Sequence, residues 1–149
     1  MATTCKYASA TTTACCMTTE MNALAAGSNA TGSALDNSAS QYLYGDFELY
    51  CGHSASLGSG GYVSMYFLVA LDGTNYIDGS ASVDPSATAL VANFPLRAIA
   101  SGCQRITATG ITLPNQLFQP LLDNQAGSAA TLAATGNILR YKLYGVQSV

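Results

Sequence analysis

From residue 40 onward, apolar and polar side chains alternate in short runs of period two, each run bounded by Gly, Asp, Asn or Pro. An extended chain points successive side chains to opposite faces, so the pattern predicts strands half buried against a core. In residues 41–51, one face carries Leu43, Phe47, Leu49 and Cys51, and the other Tyr42, Tyr44, Asp46, Glu48 and Tyr50. Residues 62–71 repeat the arrangement, with Val63, Met65, Phe67, Val69 and Leu71 opposed to Tyr62, Ser64 and Tyr66. Gly58-Ser59-Gly60-Gly61 between the two runs reads as a turn, which would let them pair as a hairpin.

Further strands are predicted over 89–99, 105–113, 117–122 and 137–146. Pro95 has no N–H to give a ladder, so its run belongs at a sheet edge or a bulge. The apolar positions Ile106, Ala108, Ile111 and Leu113 change phase at Gly110, which predicts a bulge there. Pro120 makes 117–122 the weaker strand. Asp123-Asn124-Gln125-Ala126-Gly127-Ser128 carries turn residues, and Leu139, Tyr141 and Leu143 share one face of the last run. No long helical pattern supplies crossovers for parallel strands. The expectation is an all-β fold, an antiparallel β-sandwich or jelly roll of about six to eight strands.

Residues 1–38 differ. They are rich in Ala, Thr, Ser, Asn and Gly, with few large apolar groups, and predict an extended arm ahead of a domain at 39–149. Met17, Met21 and Leu24 stand at i, i+4 and i+7, which predicts one short amphipathic helix near 17–26 ending at Gly27. A helix that short is marginal alone, so its apolar stripe would be ordered by a neighbouring surface, and Met17, Met21 and Leu24 become candidate interface residues.

Composition narrows the function. Only 9% of the 149 residues are charged, against about a quarter in ordinary domains. A neutral Ser/Thr/Asn surface repels copies of itself weakly and suits either a packed array or a polar extracellular-type domain. With a net charge of −3 and five scattered Lys and Arg, the chain lacks the basic patch that nucleic acid requires. Its longest apolar run, Phe67 to Leu71, is far short of the roughly 18 residues of a membrane-spanning helix. The start has no apolar stretch of signal-peptide type, so synthesis in a cytoplasm is expected. Five cysteines, an odd number without CxxC spacing, favour reduced thiols over a disulfide framework or a zinc site, and leave room for one inter-chain disulfide.

Reactive constellations are sparse. His53 is the only histidine, and it shares a strand face with Cys51 but has no evident third group to orient it, so a solvent-facing histidine at a strand end is preferred. Asp72-Gly73-Thr74-Asn75 is rich in oxygen donors, yet it lacks EF-hand spacing and fits turn chemistry better than calcium. Asp46 and Glu48 are a close acid pair among Tyr42, Tyr44 and Tyr50. That tyrosine stripe suits either a sugar-stacking platform or, preferably, a protein interface. Gly58 to Gly61 lacks the Lys and following helix of a phosphate loop. No catalytic residue, metal or cofactor is expected.

Four stretches carry a resemblance: Leu68-Val69-Ala70-Leu71-Asp72-Gly73-Thr74-Asn75-Tyr76, Phe94-Pro95-Leu96-Arg97-Ala98, Ile111-Thr112-Leu113-Pro114 and Gly136-Asn137-Ile138-Leu139. Through them the chain from about residue 40 onward resembles small virion proteins of tailed phages, of the capsid decoration or cement type. The resemblance implies a non-enzymatic β-sandwich on the capsid surface, with the major capsid protein and neighbouring copies as partners. A glycan- or host-surface-binding module of a tail or fibre is the alternative.

Overall fold

The computed structural model describes residues 5–7, 10–53, 60–100, 102–127 and 130–148. Among them are eleven strands: β1 (Cys5–Tyr7), β2 (Ala14–Met17), β3 (Asn29–Thr31), β4 (Leu35–Asp36), β5 (Tyr44–His53), β6 (Tyr62–Val69), β7 (Leu90–Pro95), β8 (Gly102–Thr112), β9 (Leu117–Gln125), β10 (Ile138–Tyr144) and β11 (Val146–Ser148). Every pairing is antiparallel. One sheet runs β2-β10-β5-β8, and the other runs β3-β9-β6-β7 with β4 also on β9. A separate two-stranded ribbon joins β1 to β11.

The two larger sheets face each other across one core, as the alternation requires: an antiparallel β-sandwich. Phe47, Leu49 and Cys51 of β5 and Leu139 and Leu143 of β10 meet Val63, Met65 and Phe67 of β6 and Phe118 and Leu122 of β9. Phe67 is central to the packing, with ring centroids 5.4 Å from Phe47 and 4.6 Å from Phe118, inside the range of favourable aromatic pairs.

The expected hairpin between 41–51 and 62–71 does not form. β5 pairs with β10 and β8, while β6 pairs with β9 and β7. Both runs carry a strongly apolar face, and pressing those faces together across the sandwich buries more than laying them side by side. Of the expected turn between them, Gly58 and Ser59 lie outside the described residues.

The N-terminal segment is no arm over residues 10–38. β2 closes the edge of the four-stranded sheet on β10, and β3 and β4 line the edge of the other sheet on β9. The expected helix near 17–26 is absent; the chain makes turns there, and no α-helix occurs among the described residues. Met17, Met21 and Leu24 are 1%, 0% and 9% exposed and belong to the core, so they present nothing to a partner. The helical spacing is coincidental: three apolar side chains on a turning loop reach the same core.

Two buried asparagines hold that loop. Asn137 donates from Nδ2 to the Met21 and Ala133 carbonyls and to Asn22 Oδ1, and its Oδ1 accepts the Gly52 N–H. Asn124 donates to the Leu24 and Ala130 carbonyls and accepts the Ala126 N–H. Asn124 lies inside β9, so Asp123, Asn124 and Gln125 of the predicted turn are strand instead, and Ser128 lies outside the described residues.

β9 corrects a second expectation. It is a central strand despite Pro120, flanked by β6 on one side and by β3 and β4 on the other. The Pro120 carbonyl accepts from Gly32, between β3 and β4. In an extended strand a residue's N–H points to the same side as its carbonyl, so the donor that proline lacks falls where those two strands are interrupted.

Other expectations hold. β7, which ends at Pro95, is the edge of its sheet. The β5–β8 register slips between Gly45 and Phe47, opposite Gly110, which takes a φ of +68° at the bulge.

Candidate functional site

Alternation along β5 sends Tyr44, Asp46, Glu48 and Tyr50 to the outer face of the four-stranded sheet, each half-buried. Register places Lys142 opposite Asp46, Arg140 opposite Glu48 and Tyr144 opposite Tyr44 on β10, with Thr107 opposite Glu48 and Arg105 opposite Tyr50 on β8. Three of the chain's five cationic residues thus share a face with two carboxylates, on a protein whose formal net charge is −3.

Glu48 is the centre of this surface. Its carboxylate accepts a 2.9 Å hydrogen bond from Arg140 and lies 3.7 Å from Arg105. Both pairs are open to solvent, so they orient the guanidiniums more than they stabilise the fold. Arg105 also lies 5.5 Å from the Tyr50 ring centroid, a cation–π contact. Hydrogen bonding with Cys103, which stands beside it, pushes the Tyr50 phenol above its usual value. Asp46 acts locally, accepting the Gly110 N–H at the bulge and the Tyr144 hydroxyl.

At the other end, Tyr144 packs edge-on against Tyr7, with centroids 5.2 Å apart, and at 5.8 Å from Tyr44. Tyr7 itself is 72% exposed. An open depression of about 140 Å³ lies among Thr13, Asp46, Glu48, Thr107, Arg140 and Lys142. A second, between Tyr7, Lys142 and Tyr144, measures about 410 Å³. Both are shallow dips in one surface rather than the enclosed apolar clefts typical of small-molecule sites.

Of the residues marked from the sequence, Tyr44 and Tyr50 lie on this face. Tyr42 does not: it precedes the strand and packs against the core, while Leu43, expected inside, is 51% exposed. The alternation breaks because Asn37 clamps both the N–H and the carbonyl of Tyr42 and also holds the Pro114 carbonyl. Sequence reading missed Tyr144, Arg105, Arg140 and Lys142, which register alone brings beside β5. The alternation of 137–146 could have flagged Arg140, Lys142 and Tyr144 as one outward row.

Residues tested for reaction chemistry are placed otherwise. Cys51 is in the core, where burial pushes its thiol up to about 12. His53 is buried rather than solvent-facing. The Gln104 amide, fixed by the Arg97 backbone through both its oxygen and its nitrogen, donates to His53 Nε2, which leaves the ring proton on Nδ1. Nδ1 has no partner among the described residues. Asp72 makes the predicted turn, accepting the Thr74 and Asn75 N–H groups ahead of Gly73 at a φ of +76°.

The His53 environment sets a pH dependence. Burial lowers its pKa, and a second proton would face the Gln104 N–H₂. The unfolded chain takes that proton below about pH 6.5 while the folded one resists it, so stability is full above this pH and falls as the pH drops through it. Urea midpoints measured between pH 7.5 and 5.5 are expected to decline in the native chain. His53→Gln should flatten that slope; an unchanged slope would assign it to other groups.

These features define a class: an antiparallel β-sandwich with a tyrosine- and charge-bearing sheet face. A scan against models of known protein families and a search of curated protein sequences both find no match.

Proposed function

We propose that the chain is a structural protein of a tailed-phage particle, which decorates and stabilises the capsid by binding major capsid subunits through the outer face of the four-stranded sheet. It acts by adhesion, not bond-making. The observation that carries this reading is the convergence of Tyr44, Tyr50, Tyr144, Arg105, Arg140 and Lys142 on one sheet face of a chain otherwise poor in charge. Tyrosine and arginine are the side chains that dominate protein interfaces, because they bury large rigid area at small entropic cost. The sequence resemblance supplies the partner. Weak contacts repeated over many copies on a shell add up to durable attachment.

The test is co-sedimentation of purified protein with capsids that lack it. Tyr50→Ala combined with Arg105→Glu is expected to lower the affinity by roughly tenfold or more while leaving the melting temperature near native. Binding unchanged by this pair, or no binding by the native chain, would overturn the reading.

The depression lined by Tyr7, Asp46, Lys142 and Tyr144 favours a second reading: a glycan- or host-surface-binding module of a tail or fibre. Glycan-array binding lost in Tyr44→Ala, with no affinity for capsids, would select it.

A further inference from the structure

The opposite side of the sandwich carries a different chemistry. Outward residues of the five-stranded sheet form a polar row across four strands: Asn29 on β3, Asp123 on β9, Ser64 on β6 and Asn93 on β7, each aligned with the next by register. The chain between β6 and β7 folds over this face and brings Asp84 to Asn29, whose Nδ2 donates to Asp84 Oδ1 at 3.1 Å and to the Val83 carbonyl at 3.4 Å. Those two acceptors fix the orientation of the amide. Asn29 is 8% exposed, and its Oδ1 is buried with no hydrogen-bond partner.

A buried amide oxygen without a donor is unfavourable, because it has given up water and gained nothing in exchange. This oxygen belongs to a residue at the junction of loop and sheet that is flanked by two acids. Asp84 is bound to the same amide group, and Asp123 is directly across the ladder. Asp123 is itself buried, and Gln125 is its hydrogen-bond donor through both carboxylate oxygens. Among the described residues no Lys or Arg pairs with either acid; the ion pairs lie on the other sheet, at Glu48. Asn29, with its unpartnered oxygen, therefore neighbours two acids that have no cationic partner among the described residues.

We propose that Asn29, Asp84 and Asp123 hold one calcium ion, which pins the 78–86 loop to the sheet. Two carboxylates supply up to four oxygens and Asn29 Oδ1 another, with water completing the six to eight that calcium takes. No three His, Cys, Asp or Glu side chains cluster among the described residues, but calcium also accepts amide oxygens, so two acids and an amide suffice for a site of moderate affinity. Magnesium, which keeps its waters and demands a tight octahedron, fits this mixed set less well. The site is independent of the adhesive face, so either can fail without the other.

Terbium is the probe. It replaces calcium, and Tyr62 and Tyr66, two positions either side of Ser64 on the same face, can sensitise its emission. Full-length protein stripped with EDTA is expected to take up terbium saturably at one site, with tyrosine-excited emission displaced by calcium and not by equal magnesium. Calcium should raise the melting temperature by several degrees. Asp84→Asn, an exposed loop change that leaves the fold intact, should weaken uptake by roughly tenfold and abolish the thermal shift. Asp123→Asn should do the same. Absence of saturable emission, uptake indifferent to Asp84→Asn, or binding at millimolar concentrations alone as an adventitious ion would each overturn the proposal.

Discussion

Deleting residues 1–38 is expected to leave a chain that does not fold, rather than a soluble domain relieved of an arm. The truncation removes β2, β3 and β4 and, with them, buried Cys16, Met17, Met21, Leu24 and Ala30. Truncating a single buried Met to Ala costs about 2–5 kcal/mol, and a domain of this size has about 5–15 kcal/mol in all. Losing five core residues and two sheet edges exceeds that margin. Circular dichroism and urea titration of the truncated chain would decide it. A cooperative transition near the native midpoint would mean that the N-terminal strands are accessory.

Asn137→Ala is expected to be the most damaging single polar substitution, lowering stability by about 3–5 kcal/mol. Its amide bonds carbonyls of two separate loops and an N–H at the end of β5, and the side chain itself is fully buried. Alanine takes the acceptor from the Gly52 N–H and opens a cavity at once, and it leaves the Met21 and Ala133 carbonyls only the backbone N–H groups of Leu24 and Ala23. Urea unfolding of Asn137→Ala beside Asn22→Ala, which removes one of the same bonds at a half-buried position, separates the network from its edge. A loss below about 1 kcal/mol for Asn137→Ala would show that water enters and substitutes for the side chain.

Both effects arise where sequence pattern is silent. The four residues of β2 are too few to show an alternation, and its pairing with β10 is set by residues more than a hundred positions later; Cys16 Sγ, for instance, donates to the Leu139 carbonyl. Buried asparagines look like turn residues, as Asn124 and Asn137 do. A side chain that bonds three or four distant backbone groups has the same local signature as one that bonds its own. Likewise Asp84 and Asn29, 55 positions apart, carry no spacing signal, and only the folding of the loop over the sheet brings them together.

The adhesive face is half legible in the sequence. The period of two on β5 marks Tyr44, Asp46, Glu48 and Tyr50 as one row, since in a strand that alternation is a property of the backbone. Their neighbours depend on which strands flank β5. Pairing it with β6 would have surrounded the row with Ser64 and Tyr66, whereas the observed order surrounds it with Arg105, Arg140 and Lys142.

By itself, then, the sequence determined what is local: extended chain, which side of each long strand faces inward, the bulge at Gly110, and the edge placement of Pro95. These follow from backbone sterics and from alternation, which act over a few residues. The tertiary structure alone decided which strands are neighbours, that residues 10–38 belong to the core, and which charges meet on each face. Those outcomes minimise exposed apolar surface and unpaired polar groups over the whole chain at once, and no window of sequence contains that sum.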